Sequence, residues 1–150
     1  MIRFEQGDIF KSGCDALVNP VNCVGVMGAG LAREFRALYP DACEPYFRRC
    51  ALGILEPGGL VSAHRGELCS PRWIIHLATK RHFKHPSRLA YIGLGLDNLA
   101  EQAPILQVKS VAIPALGCGL GGLDWRHVRQ QFEAFLGGID FVEWVVFEPK

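Results

Sequence analysis

Apolar and polar positions along this chain fall into short blocks, each set off by glycine, proline or a charged pair. Residues 1–6 read as a first strand closed by Gly7-Asp8, and residues 16–19 (Ala-Leu-Val-Asn) as a second, stopped at Pro20. From residue 30 to residue 38 the period becomes helical, with Leu31, Phe35 and Leu38 on one face. Pro40-Asp41 ends that helix and caps the next, which carries Tyr46, Phe47, Cys50, Leu52 and Ile54. Pro57-Gly58-Gly59 is a turn. Residues 60–63 and 73–78 follow as strands, the second apolar almost throughout, as a strand buried on both faces is. After a polar segment at residues 79–87, residues 88–99 resume the helical period through Leu89, Ile92, Leu96 and Leu99. Residues 110–113 form a buried strand, Asp124 caps a helix running to about Leu136, and residues 141–147 are the last strand.

Strand and helix thus alternate, which implies an α/β domain: a largely parallel or mixed sheet covered by helices on both faces. In such sheets ligands bind beyond the carboxyl ends of the strands. Two glycine-rich loops and the segment at 79–87 all follow strands, so all three converge on that edge. Composition changes little in this picture. The 150 residues suit one domain spanning 1–150, and a chain of this size buries about 70% of its unfolded surface without a metal or disulfide. A net charge of +1 leaves no whole-molecule field toward nucleic acid or membrane, so any anion site is local. The apolar runs are too short to cross a bilayer. Six cysteines, with no C-x-x-C pair and no zinc-finger spacing, read as free thiols of a reducing cytoplasm, and no metal site is expected.

The first glycine loop, Gly25-Val26-Met27-Gly28-Ala29-Gly30, runs directly into a helix. Glycine lets the backbone approach a ligand with several N–H groups, and the helix start adds a positive dipole end, an arrangement that suits a phosphate. A tight strand-to-helix connection explains the same glycines. The second loop, Gly117-Cys118-Gly119-Leu120-Gly121-Gly122, formally matches the dinucleotide fingerprint. Only one helix and one strand follow it, too little to complete a nicotinamide-binding half-sheet. Two glycine loops at one edge suggest instead a clamp on a diphosphate. Asp8, at the end of the first strand, can accept from an exocyclic amine such as that of adenine, or simply cap a turn.

With these pieces together the sequence resembles the macrodomain family, which binds ADP-ribose. The matching stretches are Gly7-Asp8-Ile9, Ala16-Leu17-Val18-Asn19, Asn22, the loop from Gly25 to Gly30, and residues 114–122, in order along the whole chain. Residues 21–28 and Ala78-Thr79-Lys80-Arg81-His82 look most like the DarG-like branch, whose members reverse ADP-ribosylation of thymidine in single-stranded DNA by a DarT-type toxin. The resemblance implies a three-layer α/β/α macrodomain with a central mixed sheet. It places Asp8 and Ile9 at adenine with Phe147 stacked nearby, and Asn22 at the terminal ribose. Gly25, Val26, Met27, Gly28 and Gly30, with Gly117, Cys118, Gly119, Leu120 and Gly121, then surround the diphosphate and riboses. Lys80 matches the catalytic lysine. The animal glycohydrolase of this branch has an aspartate where this chain has Gly121, which favours the DNA-directed members. Members usually carry a further domain that contacts the toxin, so the 150 residues are expected to be either a catalytic fragment or a stand-alone relative.

The implied reaction breaks a bond between an anomeric carbon and a thymine nitrogen through an oxocarbenium-like transition state. The departing imide anion is delocalised, and one ammonium can stabilise it or give it a proton. Lys80 suits that role, as acid, base or covalent nucleophile. Asn22 suits a ribose hydroxyl, because its amide donates and accepts, and Asn19 is assigned to holding the loop. Arg81, His82, Phe83 and Lys84 suit a DNA strand, cations for phosphates and Phe83 for stacking, although a solvated loop with Phe83 turned inward fits equally. The expected partners are ADP-ribose, ADP-ribosylated single-stranded DNA and a DarT-type toxin; the expected state is a monomer with no cofactor. Two other functions remain open: a non-catalytic ADP-ribose reader, and a hydrolase of ADP-ribosylated protein or small ADP-ribose derivatives.

Overall fold

The apolar blocks assemble into one six-stranded sheet with helices on both faces; the computed structural model describes residues 1–150. In chain order the elements are β1 (Ile2–Glu5), a 3-10 turn (Ile9–Lys11), β2 (Ala16–Val21), α1 (Gly30–Leu38), α2 (Pro40–Ala51), β3 (Leu60–His64), β4 (Trp73–Ala78), α3 (Leu89–Leu106), β5 (Ser110–Ile113), α4 (Trp125–Leu136) and β6 (Glu143–Phe147). The strand order is β1-β6-β5-β2-β4-β3, parallel throughout except for β3, which joins the edge antiparallel to β4. The α/β/α architecture with a mixed sheet is therefore as expected.

Alternation along the strands divides the core. Val18, Ile75, Leu77 and Ile113 face Ile92, Leu96 and Leu99 of α3 and Val128, Phe132 and Leu136 of α4. Leu17, Ile74 and Val145 face Phe35 of α1 and Ala42 of α2, and Val21, Val61 and Ala78 continue that layer against Cys43 and Tyr46. Five parallel strands deliver their carboxyl ends, and the loops that follow them, to one edge.

Several boundaries differ from the sequence reading. β2 does not stop at Pro20 but continues to Val21. The Val21 carbonyl accepts from the Thr79 N–H at 2.9 Å, so alternation turns the Pro20 nitrogen to the other side, where pairing with β5 has already ended at Leu17. Pro40 is the first residue of α2, and no side chain caps that helix. α2 ends at Ala51, which leaves Leu52 and Ile54 exposed. α3 runs past Leu99 to Leu106, closed by Gln107 in the left-handed region at φ 57°. Residues 141–142 precede β6 rather than belonging to it.

Candidate active site

A cavity of about 690 Å³ opens at the carboxyl edge of the sheet. Its walls come from residues 20–22, Val26 and residues 28–32 on one side, Thr79, Lys80, Phe83 and Ser87 on a second, and Pro114, Ala115, Gly117 and residues 119–121 on the third. The three segments expected to converge do so.

The first wall is held by Asn22, which is buried. Its Nδ2 donates to the Val26 carbonyl at 2.8 Å, and its Oδ1 accepts from the Val24 N–H at 3.0 Å and the Val26 N–H at 3.4 Å. The Tyr46 hydroxyl, from α2, reaches the Asn22 carbonyl at 2.8 Å and Oδ1 at 3.0 Å. Asn19 does not hold the loop; it is fully buried and meets His76, Nδ2 to Nδ1, at 3.1 Å. His76 donates from Nε2 to the Ala42 carbonyl at 2.8 Å, and burial lowers its pKa to about 4, so it stays neutral. Met27 lies outside the cavity, packed into the α2 layer with 1% exposure, and so anchors the loop. Gly25, at φ +78°, backs onto Cys50 rather than the cavity.

Gly30 begins α1 at φ +59°. The residue before it, Ala29, offers no side-chain cap, so the first-turn N–H groups of α1 are available to a ligand at the cavity wall. Across the cavity Leu120 reaches towards Gly30, its Cδ1 lying 3.7 Å from where a Gly30 Cβ would sit. The second loop is tightly built. A Cβ on Gly121 would lie 2.3 Å from Ser87 Oγ and 2.7 Å from the Gly117 carbonyl oxygen, and the Ser87 N–H donates to the Gly121 carbonyl at 3.0 Å. Glycine at 121 is thus demanded by the packing, which leaves no room for a carboxylate there. Cys118 turns its thiol to the Leu116 carbonyl outside the cavity, and burial raises its pKa to about 11.

Lys80 enters the cavity because the backbone around it is an extension of the sheet. The Cys23 N–H donates to the Arg81 carbonyl at 3.0 Å, which with the Thr79–Val21 bond stitches residues 79–81 to residues 21–23. Lys80 has no carboxylate within ion-pairing distance, and partial burial lowers its pKa below the ordinary ammonium value. It is the only charged side chain in the lining. Beside it Phe83 stacks on His82 at 4.2 Å and remains 44% exposed, so it is not turned inward. Lys84 Nζ lies 5.9 Å from the Phe83 ring, whereas Arg81 is paired with Glu56 at 2.8 Å.

Asp8, Ile9 and Phe147 are not in the cavity lining. Asp8 is exposed and accepts from the Phe10 N–H at 2.9 Å, while Ile9 and Phe147 are buried together in the α1 layer. They flank the same sheet edge, after β1 and at the end of β6. Sequence reasoning gave no role to Tyr46 or Ser87. Tyr46 looked like any apolar residue of a helix, and Ser87 like the end of a polar loop.

Two glycine loops over a parallel sheet edge, with one lysine between them, form the cavity of this α/β domain. A macro domain model matches residues 18–132, and the chain belongs to the macro domain family. A DNA ADP-ribosyl glycohydrolase of Thermus aquaticus is 41% identical over 99% of this chain and 41% of its own length. The solved macrodomain of Thermus aquaticus DarG superposes with a TM-score of 0.95, at 41% identity and 99% coverage of both chains. Thermosipho africanus DarTG, solved in complex with ADP-ribose, superposes with a TM-score of 0.90 at 32% identity, covering 99% of this chain and 41% of that one. The chain spans about two-fifths of the length of the curated DNA ADP-ribosyl glycohydrolases it matches.

Proposed function

We propose that this domain removes ADP-ribose from thymidine in single-stranded DNA and so reverses a DarT-type toxin. The observation that carries the reading is the lone lysine: Lys80 is the one charged group in a cavity with no carboxylate. A carboxylate pair would suit alkoxide leaving groups. A single ammonium suits a leaving group that is already a stabilised anion, such as a thymine imide. The diphosphate lies between the start of α1 and the loop at 117–121, and the terminal ribose reaches Asn22. As the bond from the anomeric carbon to the thymine nitrogen breaks, the Lys80 ammonium donates a proton to the departing base. Water adds to the anomeric carbon, and its proton returns to Lys80. Phe83, His82 and Lys84 at the mouth receive the DNA strand. The adenine end extends toward Asp8, Ile9 and Phe147.

The test is incubation with ADP-ribosylated single-stranded DNA. The parent chain releases ADP-ribose. Lys80→Ala loses at least ~100-fold in kcat, the scale of a general acid, while calorimetric affinity for ADP-ribose stays within a few-fold. The rate falls as pH rises through the Lys80 pKa, which lies below that of a free lysine. Binding without release by the parent chain identifies a reader and defeats the reading. An adduct at Lys80 trapped by borohydride replaces the acid role with a covalent one.

A further inference from the structure

Tyr46 is absent from the cavity lining, yet its hydroxyl makes two contacts with a residue that is in it. The hydrogen-bonding capacity of Asn22 is almost exhausted. Oδ1 accepts from the Val24 and Val26 N–H groups and shares the single Tyr46 hydroxyl proton with the Asn22 carbonyl. One Nδ2 hydrogen goes to the Val26 carbonyl. The amide therefore has a single unused function, its second Nδ2 hydrogen, and cannot turn over without setting Oδ1 against the Val26 carbonyl. The expectation that Asn22 both donates to and accepts from a ribose hydroxyl is thereby narrowed.

We infer that Tyr46 is a positioning residue that fixes Asn22 as a donor only, so that Asn22 presents one N–H to an acceptor oxygen of the bound ribose. This rests on the reading of the site as an ADP-ribosyl hydrolase. The phenol is well placed for a permanent role. It is fully buried, its ring lies 5.4 Å from the neutral His76 ring, and burial pushes its pKa far above the usual range, so it stays a donor at every working pH. A fixed donor holds the ribose in one orientation relative to Lys80, which acts on the rate more than on binding.

The test has two arms. Tyr46→Phe keeps the ring and removes only the hydroxyl. Its kcat on ADP-ribosylated DNA falls roughly tenfold, as for one lost hydrogen bond, while KM changes by less than about threefold. In the parent chain, nitrogen–proton spectra of the Asn22 side chain show one amide proton protected by Val26 and the other moved by added ADP-ribose. Parental kcat in a folded Tyr46→Phe overturns the inference, as does an Asn22 amide whose two protons ignore ADP-ribose. If the parent chain releases nothing from DNA, the proposed reaction fails, but the spectrum with ADP-ribose alone still decides the role of Asn22.

Discussion

At the scale of single residues, the buried His76 makes stability depend on acid. Folded, its imidazole takes up a proton only near pH 4, whereas in the unfolded chain it does so near 6.5. Between those values the unfolded state binds more protons, so stability falls as pH falls through the window. At about 1.4 kcal/mol per unit the loss is about 3 kcal/mol, complete near pH 4 and absent above 6.5. Urea unfolding of the parent chain across this range should show it. His76→Gln, which cannot titrate but keeps a donor for Ala42, should show an acid limb shallower by that amount. Equal limbs in the two proteins would assign acid sensitivity to other groups. Because the ring of Tyr46 leans on His76 and its hydroxyl on Asn22, protonation of one buried ring would also loosen the cavity wall.

At the scale of elements, close approach of α3 decides what its glycines tolerate. A Cβ on Gly95 would lie 2.7 Å from the side chain of Leu77, which is fully buried in β4 and cannot move aside. A Cβ on Gly93 would meet the far end of Gln131 at 2.8 Å and the half-exposed ring of Phe135 at 3.1 Å, both free to give way. Alanine gains roughly 1 kcal/mol of helix propensity at either site. Overpacking costs roughly 1–3 kcal/mol. Gly95→Ala should therefore lower the melting temperature by several degrees, while Gly93→Ala stays within about 0.5 kcal/mol of the parent, as thermal unfolding would measure. The contrast also shows what a sequence can and cannot display. The periods of 2 and 3.6 revealed most elements, and the two glycine loops were legible because their signal is local. The reach of β2 past Pro20 was not, because whether a proline breaks a strand depends on which side its neighbour pairs. The antiparallel β3 and the grip of Tyr46 on Asn22 join partners distant in the chain, and no local pattern encodes them. Phe147 was expected beside a ligand on resemblance; it is buried at the end of β6, on the same sheet edge but outside the cavity lining.

At the scale of the whole molecule, charge is nearly balanced, with 16 basic and 15 acidic side chains, so the proposed action on DNA calls for a local attraction. The segment from Lys80 to Arg88 is where that proposal puts it. Arg81 is offset by Glu56, which leaves Lys80, Lys84 and Arg88 of this segment without carboxylate partners, Lys84 beside the exposed Phe83 and Arg88 over the Tyr91 ring. Each cation that meets a phosphate of a single strand releases counterions and adds about −0.7 to the slope of log affinity against log salt. With Lys80 engaged in the cavity, two contacts, by Lys84 and Arg88, give a slope of about −1.4 for kcat/KM on ADP-ribosylated DNA. A small ADP-ribosylated nucleoside, held by the glycine loops and Lys80 alone, should show a much shallower slope. Lys84→Ala should reduce the DNA slope by roughly 0.7 and leave the nucleoside slope unchanged. Phe83→Ala should weaken DNA about tenfold or more with no change of slope, since stacking releases no ions. The two substitutions thus separate charge from stacking at the same mouth. Identical salt slopes for DNA and nucleoside in the parent chain would remove this segment from the DNA contact and confine recognition to the ADP-ribose itself.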